Sequence, residues 1–182
     1  AVHGESIAVS GVCLTVVDRG ALGQAEDGAE GAWFTVDVSA ETVLRTARGM
    51  WSEGRRINLE PSLKLGDEMG GHIVSGHVDA VGRIADWQPE GASTRLTVRA
   101  PAELAPFIAP KGSITVDGVS LTVNEVHDRE DGSVDFGLNV PVLAWSQGAE
   151  MAEVERLAGT DGGDFVRTMR MAIQMMRQLR SA

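Results

Sequence analysis

Apolar and polar positions alternate along two stretches of the chain, and the stretches are copies of one another. In Ser6–Asp18, SIAVSGVCLTVVD, the residues Ile7, Val9, Val12, Leu14 and Val16 alternate with small or polar ones around Gly11. In Ser113–Glu125, SITVDGVSLTVNE, Ile114, Val116, Val119, Leu121 and Val123 do the same around Gly118. Aligned without gaps at an offset of 107, the two share eight residues of thirteen. Alternation with a period of two places one face of a strand on a core. A glycine inside such a run signals a bulge or a corner. A second echo follows each copy, WFTVDV at Trp33–Val38 and DFGLNV at Asp135–Val140, now at an offset of 102. The loop between the echoes has changed length, as surface hairpins do.

Further strands are expected at Trp33–Ser39, Arg56–Glu60, Val78–Trp87, Ser93–Ala100 and Ser133–Val140. Turns rich in glycine, proline and acids separate them at Gly20–Gly31, Gln88–Gly91 and Asp128–Gly132. Short helices are expected at Ala40–Thr46 and, behind Pro101, at Ala102–Ile108. Closely spaced strands without long helices between them define an all-β class built of antiparallel barrels. Two tandem barrels are expected, 1–75 and 76–142, with the boundary near Gly76.

From Val142 onward the strand alternation is lost. Val166, Met169, Ile173, Met176 and Leu179 recur every three or four residues, which predicts an amphipathic C-terminal α-helix in a tail of 143–182 that opens near Asp164. Arg167, Arg170, Arg177 and Arg180 fall on another face of that helix. A solvated basic face is the plain reading; a partner-docking helix is the sharper one.

Composition narrows the function classes. Asp and Glu outnumber Lys and Arg by 26 to 16, a net charge of -10, which argues against a general nucleic-acid binder. The apolar runs are too short to cross a bilayer and no secretory signal opens the chain, so a cytoplasmic protein is expected. One cysteine forbids an internal disulfide and any Cys-rich zinc site. With 22 glycines, no tyrosine and 4 each of Phe and Trp, a binding site here is shaped by glycines, hydroxyls and backbone.

Candidate chemistry sits in the repeat. Residues i and i+2 of a strand share a face, so Cys13 with Thr15, and Ser120 with Thr122, present matching pairs of small polar groups. Each pair alone reads equally as a wet strand face; the same pair twice points to a ligand. Between the copies lies Gly70–Asp79, GGHIVSGHVD. Its His72 and His77, five apart, fit neither a helical pair nor a zinc signature, so no metal is expected. Its glycines allow close approach to a flat ligand. His77 is either a structural histidine or a proton carrier, since imidazole titrates near neutrality.

Together these segments resemble the alpha-type riboflavin synthases and the lumazine-binding repeat from which they are built. The resemblance rests on SIAVSGVCLTVVD, FTVDVSAETVLRT, INLEPSLKLGDEMGGHIVSGHVDAVGRI and KGSITVDGVSLTV, and runs from about Glu5 to Pro141. It implies two six-stranded Greek-key barrels, and a C-terminal helix that holds a homotrimer together. It also implies dismutation of two molecules of 6,7-dimethyl-8-ribityllumazine. A four-carbon unit passes between them to give riboflavin and 5-amino-6-(ribitylamino)uracil, with no cofactor and no metal. The first barrel of one subunit would pair with the second barrel of a neighbour.

Carried over residue by residue, the resemblance assigns the first lumazine site to Cys13, Leu14 and Thr15, with Asp37, Val38, Ser39, Ala40, Glu41 and Thr42 along its rim. Gly76, His77 and Val78 match the junction segment, and Lys111, Ser120, Leu121 and Thr122 match the second site. His77, Ser120 and Cys13 are the implied catalytic groups. By the same resemblance roughly thirty residues are expected ahead of Ala1, opening M-F-T-G-I, and the family's E-T-x-x-x-T-T segment and second V-N-L-E strand, due after Pro141, are missing from the sequence there. Both barrels are therefore expected to be incomplete. The rival reading is a non-catalytic lumazine- or flavin-binding protein, or an inactive fragment of the enzyme, made from the same repeat.

Overall fold

The structure, a computed structural model, describes residues 2–24, 30–47, 49–68, 72–141 and 168–172. Its first unit is a four-stranded antiparallel sheet. Strand β1 (Ser6–Val9) is flanked by β2 (Val12–Gln24) and β4 (Leu59–Pro61), and β3 (Glu30–Val36) pairs on the far side of β2. A short helix α1 (Ala40–Leu44) follows β3. The second unit is a closed barrel of β5 (Ala80–Glu90), β6 (Ser93–Ala100), β7 (Ser113–Val116), β8 (Val119–Asp128), β9 (Val134–Pro141) and β10 (Thr168–Ala172).

The alternation in sequence is the alternation in burial. Ile7, Val9, Val12, Leu14 and Val16 are buried on one face of the first sheet, packed with Ala47 and Met50. In the barrel Ile114, Val116 and Val123 join Leu96, Val98, Phe136 and Leu138, none of them more than 2% exposed. Ser93–Ala100 forms the strand expected of it and alternates without a fault between half-buried and buried.

Both units share one ladder. Val16 faces Val36 and Arg19 faces Phe34 in the first; Val123 faces Leu138 and Val126 faces Phe136 in the second. Register breaks at the same place in each, between Val16 and Asp18 and between Val123 and Val126. Gly11 and Gly118 are neither bulges nor sheet corners. Each is the second residue of a two-residue hairpin turn, with φ 44 and 81 at Ser10 and Gly11, and 51 and 87 at Asp117 and Gly118. Two successive positive φ values are the signature of the turn whose twist suits adjoining strands.

Several boundaries move. Gly20–Gln24 belongs to β2 rather than to a turn, because Gly20 lies opposite Trp33 and leaves room for the indole, 2.7 Å from where a Cβ would stand. Of the expected Arg56–Glu60 strand only Leu59 and Glu60 pair, in a strand that runs on to Pro61, with Asn58 turned to another use described below. Ala102–Phe107 is a 3-10 helix, kept short by Pro106, which has no N–H to donate.

The second barrel is complete among the described residues, against expectation. Met171 faces Val116 and Ala172 faces Thr115, while in the first unit Leu59 faces Val9 and Glu60 faces Ala8. Val9 and Val116, and Ala8 and Thr115, are equivalent positions of the repeat, so β10 takes in the second unit the place that β4 holds in the first. It also pairs with β5, from Thr168 opposite Arg83 to Met171 opposite Ala80, and so closes the barrel. The expected helix is thus replaced by a strand over Thr168–Ala172. Two open edges, β5 and β7, offer ladders on both sides, and that pairing outweighs a weak helical periodicity. The rest of the expected helix lies outside the described residues. In the first sheet the outer edges of β3 and β4 carry no strand among the described residues, so this unit is an open four-stranded sheet, in keeping with the incomplete first barrel expected of it.

Candidate functional site

The two hairpin turns abut. A Cβ on Gly11 would stand 2.8 Å from the backbone nitrogen of Gly118, and one on Gly118 would stand 2.8 Å from that of Gly11. This reciprocity is what a local twofold relation between repeats produces. Asn58 fastens the pair. Its backbone carbonyl accepts from Ser10 N–H at 2.7 Å, its N–H donates to Ser10 Oγ at 3.2 Å, and its side-chain amide donates to the Asp117 carbonyl at 2.9 Å.

From these turns β2 and β8 lead away with equivalent outward faces. Cys13 and Thr15 are exposed opposite the buried Leu14, and Ser120 and Thr122 are exposed opposite Leu121, which packs on the barrel core. The polar pairs therefore face away from the cores, and the leucine side chains of the two triplets face into them. Lys111, exposed at φ 66, donates its backbone N–H to Val123 O at 2.7 Å and sets the turn into β7.

The expected rim residues follow β3. Ser39 caps α1, its hydroxyl accepting from Thr42 N–H at 3.1 Å and lying 2.9 Å from Thr42 Oγ1. Glu41 pairs with Arg45 at 2.8 Å, and the Arg45 guanidinium is held above its usual range by that hydrogen bond. Val38 packs against the first core, and Asp37 and Ala40 are exposed. The polar groups of Ser39, Glu41 and Thr42 thus hold the helix.

The linker serves both units. Gly76 is buried at φ 73 against Cys13, its carbonyl accepting Cys13 N–H at 2.8 Å. A Cβ there would stand 2.5 Å from that of Cys13, so this position takes glycine. Val78 packs on the first core and Ala80 on the second. His77 is exposed and has no side-chain hydrogen bond among the described residues.

His72, passed over in the sequence except as a poor metal ligand, reaches the second site. Its Nδ1 lies 2.5 Å from Ser120 Oγ and its Nε2 lies 3.1 Å from Thr115 Oγ1. Burial pushes the ring below its ordinary value of 6.5, which favours the neutral form. No local signal in the sequence joins His72 to Ser120 or Thr115; the contact is made by the linker folding back across the hairpin.

Two outward polar faces on equivalent strands, joined at abutting turns and served by one linker, define a duplicated β-module. The family model for the lumazine binding domain matches residues 1–62 and 75–140, and the chain belongs to that family. Among similar proteins, the riboflavin synthase of Brucella abortus (strain 2308) is 51% identical over 144 residues, 79% of this chain and 69% of that protein. The riboflavin synthase of Mycobacterium tuberculosis (strain ATCC 25618 / H37Rv) is 49% identical over 122 residues, 67% of this chain and 56% of that protein. That of Photobacterium phosphoreum is 41% identical over 127 residues, 70% and 54%. The matched stretch thus spans 54% to 69% of these relatives' own length. Among solved structures, LumP complexed with riboflavin superposes with a TM-score of 0.66 at 19% identity, over 96% of this chain and 81% of that one. LumP complexed with 6,7-dimethyl-8-(1'-D-ribityl) lumazine gives 0.64 at 18%, over 96% and 80%. These last two show the fold. No helix among the described residues is long and apolar enough to cross a membrane.

Proposed function

We propose that the chain carries riboflavin synthase activity, converting two molecules of 6,7-dimethyl-8-ribityllumazine into riboflavin and 5-amino-6-(ribitylamino)uracil. The observation that carries this reading is the doubled outward face: two identical substrates require two similar places, and Cys13 with Thr15 and Ser120 with Thr122 supply them on equivalent strands. The identity to riboflavin synthases supports the same reading.

In this proposal one lumazine lies against Cys13, Leu14 and Thr15 with the rim Asp37–Thr42, and the other against Lys111, Ser120, Leu121 and Thr122. The leucines contribute backbone there, since their side chains face the cores. One substrate's acidic methyl group must lose a proton, and a nucleophile must add to the other. His77, exposed at the junction, is assigned the first task; Ser120 and Cys13 are the groups for the second, and holding both rings together does the rest. Repeat units 1–75 and 76–142, cytoplasmic residence and a homotrimer that sets a first unit against a neighbour's second belong to the same proposal.

The test is direct. The purified chain is incubated with 6,7-dimethyl-8-ribityllumazine and riboflavin is followed by its fluorescence. Steady formation of riboflavin is expected; substrate bound without any riboflavin formed would refute the catalytic reading and leave a binding protein. Unchanged turnover in His77→Ala would remove His77 from proton transfer, and light scattering reads the trimer.

A further inference from the structure

Thr115 and Ser120 are cross-strand partners and share a face of the β7–β8 hairpin. Their exposures differ sharply: Ser120 is open to solvent, whereas Thr115 is 1% exposed. The imidazole of His72 stands between them, with Nδ1 on Ser120 Oγ and Nε2 on Thr115 Oγ1. Among the described residues the Thr115 hydroxyl has no other hydrogen-bond partner. A neutral imidazole carries one N–H and one lone pair, so one hydroxyl donates to the ring and the other accepts from it.

Burial decides which. A hydroxyl as buried as that of Thr115 is costly to leave without an acceptor, so its hydrogen goes to Nε2. The ring proton then sits on Nδ1 and is donated to Ser120 Oγ. With its oxygen already accepting, Ser120 has its own hydrogen turned to the open side. The first unit lacks this device. The position equivalent to Thr115 is Ala8, opposite Cys13, and the linker meets Cys13 through the Gly76 carbonyl instead.

We propose that His72 is a positioning residue of the second site: through a Thr115–His72–Ser120 chain it fixes the Ser120 hydroxyl as a hydrogen-bond donor to a carbonyl or ring nitrogen of the bound heterocycle. This rests on the reading of Ser120 and Thr122 as a lumazine- or flavin-binding face. The two sites are then chemically unequal, and only the second presents a hydroxyl whose direction is set in advance.

The experiment uses the full chain with 15N-labelled histidine and riboflavin as the probe. Long-range proton–nitrogen correlation at neutral pH is expected to show His72 protonated at Nδ1, the less common tautomer. In Thr115→Val the proton should move to Nε2, because valine cannot donate. Riboflavin affinity, read from quenching of its fluorescence, should fall roughly two- to tenfold in Thr115→Val and similarly in Ser120→Ala, the worth of one neutral hydrogen bond. The double variant should lose no more than Ser120→Ala alone. His72→Asn, whose amide N–H takes the place of Nδ1–H, should restore most of the affinity that His72→Ala loses. An Nε2–H tautomer in the unaltered chain, or losses at Thr115 and Ser120 that add, would overturn the role of His72 while leaving the binding face intact. No riboflavin binding by the unaltered chain would sink the binding face and this inference with it.

Discussion

Replacing Gly118 by alanine measures what holds the two repeats together. The substitution acts twice. At φ 87 an alanine is disfavoured in the left-handed region by about 1 kcal/mol. Its Cβ would also stand 2.8 Å from Gly11 N and 3.4 Å from Gly11 Cα, so one backbone must move from the other. Neither can yield easily, since Asn58 hydrogen-bonds both turns. Forcing an extra carbon into such a contact costs about 1–3 kcal/mol, which brings the total to about 3 kcal/mol. Gly91→Ala is the control: φ is 60 and nothing lies within 4 Å, so only the backbone part, about 1 kcal/mol, is expected. Gly11→Ala should behave as Gly118→Ala does. Once either has separated the turns the other has little left to disturb, so the double variant should fall short of the sum by about 1–3 kcal/mol. Urea unfolding followed by tryptophan fluorescence reads all four variants. Equal losses at Gly91 and Gly118, or strict additivity of Gly11 and Gly118, would refute the abutting turns.

Asp135 accepts from Arg99 Nε at 2.7 Å and Arg99 Nη2 at 2.9 Å, and from Arg129 Nη1 at 2.9 Å. Chiefly the hydrogen bond from Arg99 holds its carboxyl below 3.8. Asp135→Asn should therefore lose about 2 kcal/mol at neutral pH. Because the folded value is depressed, that stability is full above the unfolded range near 4 and disappears as pH falls through the folded value; urea midpoints of the two proteins should converge once the pH lies below that folded value. Ser39→Ala removes the cap of α1 and should cost about 1 kcal/mol in thermal unfolding; a loss of riboflavin affinity with unchanged stability would make Ser39 a ligand contact instead. Phe136→Ala, at a fully buried position of the barrel, should cost about 3–5 kcal/mol by calorimetry.

Much of the fold was legible because one face of each strand is buried and the other is not. Ile7 to Val16 and Ile114 to Val123 announce their cores, and Ser93–Ala100 falls where expected. Ser10-Gly11 and Asp117-Gly118 between alternating runs were available as two-residue turns, yet a glycine in a strand pattern reads equally as a bulge. Asn58 looked like a strand residue; its real task is to bind two turns remote in sequence, and periodicity carries no trace of that. That Cys13 shares a face with Thr15, and Ser120 with Thr122, was legible from spacing alone; that these faces point outward was not. His72 was not, since its partners lie on a hairpin far along the chain. Nor was β10: its place is defined by the edges it fills, and backbone pairing makes few demands on which side chains fill them.

That last strand sets the order in which the chain can be finished. On a ribosome β1 can pair with β2 and β4, and β6 with β9, while translation continues. The barrel seam waits, because Thr168 and Met171 must emerge before Arg83 and Val116 meet their partners. Until then β5 and β7 are bare edges on a nascent protein, the kind of surface that pairs with whatever strand arrives first. Barrel closure thereby comes well after the other five strands are made, and the interval before it is when the barrel most needs protection from its neighbours.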